Sequence, residues 1–125
     1  MAYIDRADPM HDSVARTLEP FSGRLLTTGA VITESVHLVA DARDGPTLLA
    51  EFIITANLDI AESMRPATIR RAAVLVQKYA DTPMDFADAT LVLLADATGT
   101  LDILTLDRRG FSTYRTPSGK RFRLM

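Results

Sequence analysis

The sequence predicts an α/β fold: three α/β/α layers built on a mainly parallel central sheet. Two observations carry that expectation. Short apolar runs alternate along the chain with segments of helical period, the pattern of strands joined by crossover helices. The chain has 125 residues, 47% of them hydrophobic, with no long polar or Pro/Gly-rich interval, which suits one core and a single domain over residues 1–125.

Each element has a local signal. Asp8-Pro9 is a start signal for a short helix from about Met10 to Leu18, with Val14 and Leu18 on one face. After Gly23, "RLLTT" (24–28) reads as a strand, and its threonines are placed to cap a helix over "GAVITESVHLVADAR" (29–43). Gly45-Pro46 breaks the chain ahead of a helix in "TLLAEFIITAN", and "LDIAE" follows as a strand. From Arg65, "RPATIRRAAVLVQKYA" alternates basic and apolar positions at helical spacing. "DTPMDFADATLVLLADATG" is a nearly apolar helix closing at Gly99, "LDILTL" a buried strand, and "RFRLM" an edge strand.

Composition narrows the function. The chain has no cysteine, which removes disulfides, thiolate metal sites and cysteine nucleophiles, and agrees with a reducing cytoplasm. No run approaches the ~20 apolar residues that span a bilayer, and "MAYIDRADPM" lacks the basic and apolar regions of a signal peptide, so a cytoplasmic protein with no membrane partner is expected. Fourteen basic against sixteen acidic residues give a net charge of −2, so contacts with nucleic acid have to be local. No glycine-rich phosphate loop is present, which argues against a nucleotide-binding α/β domain.

The chemistry lies in acids at the ends of apolar elements. In parallel sheets, sites form beyond the carboxyl ends of the strands. Asp107 follows "LDILTL" at that edge, and Asp88 falls in the first turns of the preceding helix, between its polar and apolar sides. Glu34 stands mid-helix between Val31 and Leu38. Each also has a purely structural reading: Asp88 favours the positive end of its helix by roughly 0.3–1 kcal/mol, Asp107 caps a turn into "RRGF", and Glu34 reaches solvent along its stem. Together they predict something more. Carboxylates ~4 Å apart repel by about 4 kcal/mol at an effective dielectric near 20, so a cluster needs raised pKa values or a cation. An all-oxygen ligand set suits Mg²⁺ or Mn²⁺. Glu34 and His37 also form a Glu-x-x-His pair, but a di-iron bundle needs a second copy and further glutamates. Arg108 and Arg109, with Lys120, Arg121 and Arg123, are candidate contacts for phosphates; their bland reading is a solvated turn and tail. Arg65, Arg70, Arg71 and Lys78 read as a solubilising helix face.

The segments "TTGAVITESVHLVADAR", "MDFADATLVLLAD" and "DILTLDRRGFSTYR...FRLM" resemble the PIN-domain family, specifically the VapC-like ribonuclease toxins of toxin–antitoxin pairs. The resemblance extends to "AYIDRADPMHDSVARTL" and so over nearly the whole chain. It implies a PIN-like fold and a Mg²⁺- or Mn²⁺-dependent endoribonuclease, with Glu34, Asp88 and Asp107 as catalytic and metal-binding residues and Thr105 at a small polar position beside the site. It further implies an RNA substrate, an antitoxin partner and a homodimer.

One departure qualifies it. Family members open with an apolar strand ending in an acid, some ten residues before the "AYIDRADP"-like segment, whereas here Met1 falls almost on that segment. The N-terminal strand and first acid are therefore expected to be missing, and Asp5 fits the later segment better than the catalytic position. The alternative reading is a catalytically impaired PIN-like scaffold that binds an antitoxin-like protein.

Overall fold

The structure, a computed structural model, describes Pro9 and residues 11–125. The expectations about Asp5 and an N-terminal strand fall on residues outside that set. Along the chain the elements are α1 (His11–Leu18), β1 (Leu26–Thr28), α2 (Gly29–Leu38), α3 (Gly45–Thr55), β2 (Asp59–Ala61), α4 (Pro66–Lys78), α5 (Phe86–Thr98), β3 (Asp102–Ile103), α6 (Arg108–Thr113) and β4 (Arg123–Leu124). Their contacts divide the chain into two compact units: residues 1–27 with 32–60, and residues 28–31 with 61–125.

In the first unit a small apolar cluster of Val39 and Leu49, with Phe52 and Ile53 against it, sits where α2 runs into α3. The turn between those helices depends on Gly45, since a Cβ there would collide with the Val39 carbonyl. Asp44 before it takes left-handed backbone (φ 55°), and Pro46 opens α3 where a missing N–H costs nothing. At β2, the Asp59 amide donates to the Leu25 carbonyl (3.0 Å), and the Asp59 carboxylate pairs with Arg24.

The second unit holds the larger core. Ala72 and Leu75 of α4 pack with Met84 and the α5 residues Ala89, Val92 and Leu93, and with Phe111, Tyr114 and Phe122. Four aromatic rings stack edge to face in series: Phe122 on Phe111 (5.4 Å between centroids), Phe111 on Tyr114 (5.1 Å), and Tyr114 on Tyr79 (5.1 Å). Such pairs are worth roughly 0.5–1.5 kcal/mol beyond their buried area. β3 and β4 pair in parallel, Asp102 opposite Arg123 and Ile103 opposite Leu124. The start of α2 belongs to this unit. Its amides are capped by two hydroxyls, Ser63 accepting from Ala30 (3.2 Å) and Thr28 from Val31 (3.3 Å). Thr28 in turn meets Thr90 of α5 at 2.8 Å, and Thr90 donates to the Ala87 carbonyl (2.7 Å). That donation leaves Thr28 as the donor between the two hydroxyls.

The sequence placed most elements where they are, with three differences. α2 stops at Leu38 rather than continuing to residue 43, because the chain must turn there to bring Gly45 against Val39. "LDILTL" is not a buried strand: only Asp102 and Ile103 pair, and Leu104 and Leu106 are exposed, an alternation of half-buried and exposed positions along that run. "RRGF" is a short helix, α6, rather than a turn. Among the described residues the strands form two two-stranded sheets, β1-β2 and β3-β4.

Thr90→Val tests the hydroxyl relay. It leaves the buried Thr28 O–H without an acceptor, which costs about 1–3 kcal/mol in denaturant unfolding, while Thr90→Ser, which keeps the oxygen, costs less.

Candidate active site

Two of the predicted acids lie in the second unit, each at the start of a helix. Asp85 N-caps α5, accepting from the Asp88 amide at 2.7 Å, while the Asp88 carboxylate reaches back to the Asp85 amide at 3.3 Å. This is a reciprocal capping box built from two aspartates. Asp107 N-caps α6, its Oδ1 accepting from the Gly110 amide at 2.9 Å, and the Thr105 hydroxyl accepts from the Asp107 amide at 3.0 Å. Gly110 leaves room for that carboxylate; a Cβ at position 110 would strike its oxygen atoms.

The structural readings of Asp88 and Asp107 are thus both realised, yet they do not account for the electrostatics. A capping carboxylate is ordinarily favoured as an anion by the helix N-terminus. The Asp88 carboxyl is instead raised to about 7, first by withdrawal from water and then by the charge of Asp85, with Asp107 adding to the same effect. Tyr114 feels the same acids: burial foremost, then the charges of Asp88, Asp107 and Asp85, push its phenol up to about 12. Its hydroxyl donates to the Pro83 carbonyl at 2.7 Å, two residues before the Asp85 cap. Asp88, Asp107 and Tyr114 therefore share one local field.

The other predicted residues divide as follows. Glu34 is half-buried in the middle of α2, within the first unit. Among the described residues, no three His, Asp or Glu side chains gather as a group that could hold a metal ion. Thr105 serves the backbone of Asp107, and Arg108 donates to the Met125 carbonyl at 3.2 Å. Arg109 is exposed beside Asp107, and His37 is exposed on α2. Two participants were not anticipated, Asp85 as partner of Asp88 and Tyr114. Asp85 had a signal, an acid three residues before another at a helix start; Tyr114 had none, since its contact spans thirty-one residues.

Comparison with known proteins shows the family of the chain. No family model matches the chain. It is 36% identical over 124 residues to ribonuclease VapC26 of Mycobacterium tuberculosis, covering 98% of this chain and 91% of that protein. The chain belongs to the VapC-like PIN-domain family. Its fold is also that of the crystal structure of VapC20 from the same organism, a toxin that cleaves the sarcin-ricin loop: TM-score 0.70, over 81% of this chain and 78% of that one, at 14% identity. The α/β class expected from the sequence is the class of this VapC-like chain. No helix among the described residues is long and apolar enough to cross a membrane.

The raised Asp88 carboxyl fixes a pH response. Its folded form binds a proton more tightly than the unfolded chain does, so its contribution to stability is present below about pH 4 and is lost as pH rises toward 7. Without divalent ions, Asp88→Asn is expected to flatten that fall in unfolding midpoints measured from pH 4 to 8, and to be the more stable protein at pH 8. Asparagine keeps the oxygen that accepts from the Asp85 amide.

Proposed function

We propose that this chain is an endoribonuclease dependent on Mg²⁺ or Mn²⁺, the toxin of a toxin–antitoxin pair, with Glu34, Asp88 and Asp107 as its metal-binding and catalytic acids. The match along 98% of the chain to a ribonuclease supports this reading and supports one PIN-like domain over residues 1–125. That match is the observation that carries it. The Asp88 carboxyl, raised to about 7 by burial and by neighbouring Asp85 and Asp107, agrees with a site that a cation would complete. Its donors are all hard oxygens, the set that Mg²⁺ and Mn²⁺ take.

When bound, a divalent ion polarises the phosphodiester and makes water a better nucleophile at neutral pH. The chain's own residues hold and orient. Asp88 and Asp107 offer carboxylates from the rigid first turns of α5 and α6, each fixed by backbone hydrogen bonds, so little freedom is lost on binding. Asp85 adds negative charge behind Asp88, and Tyr114 ties the segment before Asp85 to the end of α6. Thr105 stands beside Asp107, and Arg108 and Arg109 follow it as cations for the RNA backbone. Exposed Leu38, Leu48 and Ile54 on α2 and α3 give the first unit an apolar surface suited to an antitoxin protein. A homodimer in the cytoplasm completes the proposal.

The alternative reading is a PIN-like scaffold that binds a protein partner without cleaving RNA. Thermal unfolding separates the two. Millimolar Mn²⁺ or Mg²⁺ is expected to raise Tm in the wild type and leave Asp88→Asn unmoved, and RNA cleavage is expected to stop in EDTA. No metal-induced rise and no cleavage would leave the scaffold.

A further inference from the structure

The basic side chains of the second unit differ in what they already hold. Arg71 pairs with Asp96 (3.9 Å), Arg123 with Asp102 (2.8 Å), and Arg108 donates to the Met125 carbonyl. Among the described residues of this unit no carboxylate pairs with Arg65, Arg70, Lys78, Arg109, Arg115, Lys120 or Arg121, and of these Arg115, Lys120 and Arg121 sit together on one element. Residues 115–121 form a hairpin in which Arg115 faces Arg121 across an antiparallel bridge.

That hairpin is rigid. The Thr116 amide donates to the Lys120 carbonyl (3.0 Å), the Lys120 amide donates back to the Thr116 hydroxyl (3.1 Å), and Gly119 turns the chain with φ 86°. Ser118 donates to Asp96 of α5 (2.9 Å), and the Arg115 amide donates to the Tyr79 hydroxyl (2.9 Å). One Arg115 nitrogen, Nη1, donates to the carbonyls of Ser112, Thr113 and Tyr114, so its head is held at the end of α6.

Residues directly opposite in an antiparallel pair point to the same face with Cβ atoms about 4.5–5.5 Å apart, where like charges destabilise. A stiffened backbone holding two arginines in that relation, with a lysine adjacent, has an electrostatic conflict that an anion between the heads relieves. Guanidinium groups match the geometry of phosphate oxygens. The Arg115 head lies at the C-terminal end of α6, and Asp107 caps the N-terminal end of the same helix. An anion on the hairpin is thus one six-residue helix, about 9 Å, from that acid, a span that an extended phosphodiester chain covers.

The geometry points to the Arg115–Arg121 hairpin, with Lys120, as a phosphate clamp for the backbone of single-stranded RNA beside the acids. The inference rests on the ribonuclease reading and deepens it: Arg121 and Lys120 add backbone contacts to those of Arg108 and Arg109.

The test uses full-length protein in the Asp88→Asn background, in EDTA, with a fluorescein-labelled single-stranded RNA of mixed sequence followed by anisotropy across a salt series. Replacing Lys120 and Arg121 by Gln is expected to weaken binding and to lower the slope of log K against log salt by about 1.4, for two phosphates at ~0.7 each. In otherwise wild-type protein, Arg121→Glu is expected to raise Tm, by turning a like-charge pair into an opposite one, and to leave any Mn²⁺-induced Tm rise unchanged; in the Asp88→Asn background it is expected to weaken RNA binding. A purely structural arginine would not couple a gain in stability to a loss of binding. An unchanged salt slope, binding of RNA too weak to detect, or a fall in Tm for Arg121→Glu each overturns the clamp; an unchanged slope would leave the hairpin to an acidic protein segment. The Mn²⁺ response, read separately, decides the metal site whatever the clamp does.

Discussion

The placing of Asp88 is the constraint on which the functional end of this chain depends. Its carboxyl is drawn partly out of water and set beside Asp85 and Asp107, so its neutral form persists to about 7. At neutral pH each added carboxylate raises the energy of the others. The aromatic series that ends at Tyr114 and Tyr79, and the hydrogen bond from Tyr114 to Pro83, hold the surrounding segments in register against that repulsion.

The acids are held by ordinary means. Asp88 and Asp107 occupy the first turns of helices, where the backbone offers amides to a carboxylate, and each takes up a capping hydrogen bond. One oxygen can serve the helix while the rest of the group faces a ligand. Gly110 belongs to the same economy of space, since without it the Asp107 carboxylate could not lie against the backbone of α6. On the far side of Tyr114 the hairpin presents cations with no carboxylate paired to them. The acids and these cations therefore belong to one unit.

Much of the fold was legible because its signals are local. α5 announces itself through an acid cap at Asp85, an apolar run and Gly99, which takes the left-handed C-cap at φ 73°. The Gly45-Pro46 pair and the threonine before Gly29 likewise mark real helix starts. "LDILTL" misled because apolar content implies burial only when neighbours cover both faces, and here Leu104 and Leu106 face outward. α2 ends early because of a backbone contact at Gly45 that no periodicity encodes. Within the site, Asp88 and Asp107 were readable from their positions at element ends. Tyr114 and the Thr28–Thr90 relay were not, since they join residues thirty-one and sixty-two apart.

Asp88 and Asp107 act on one another as charges. A carbon-detected NMR titration of the aspartate carboxyl groups, in metal-free wild type and in Asp107→Asn, reads that interaction. An Asp88 midpoint near 7 is expected in the wild type, falling when Asp107 loses its charge. A midpoint in the ordinary aspartate range, or one indifferent to Asp107, would contradict it.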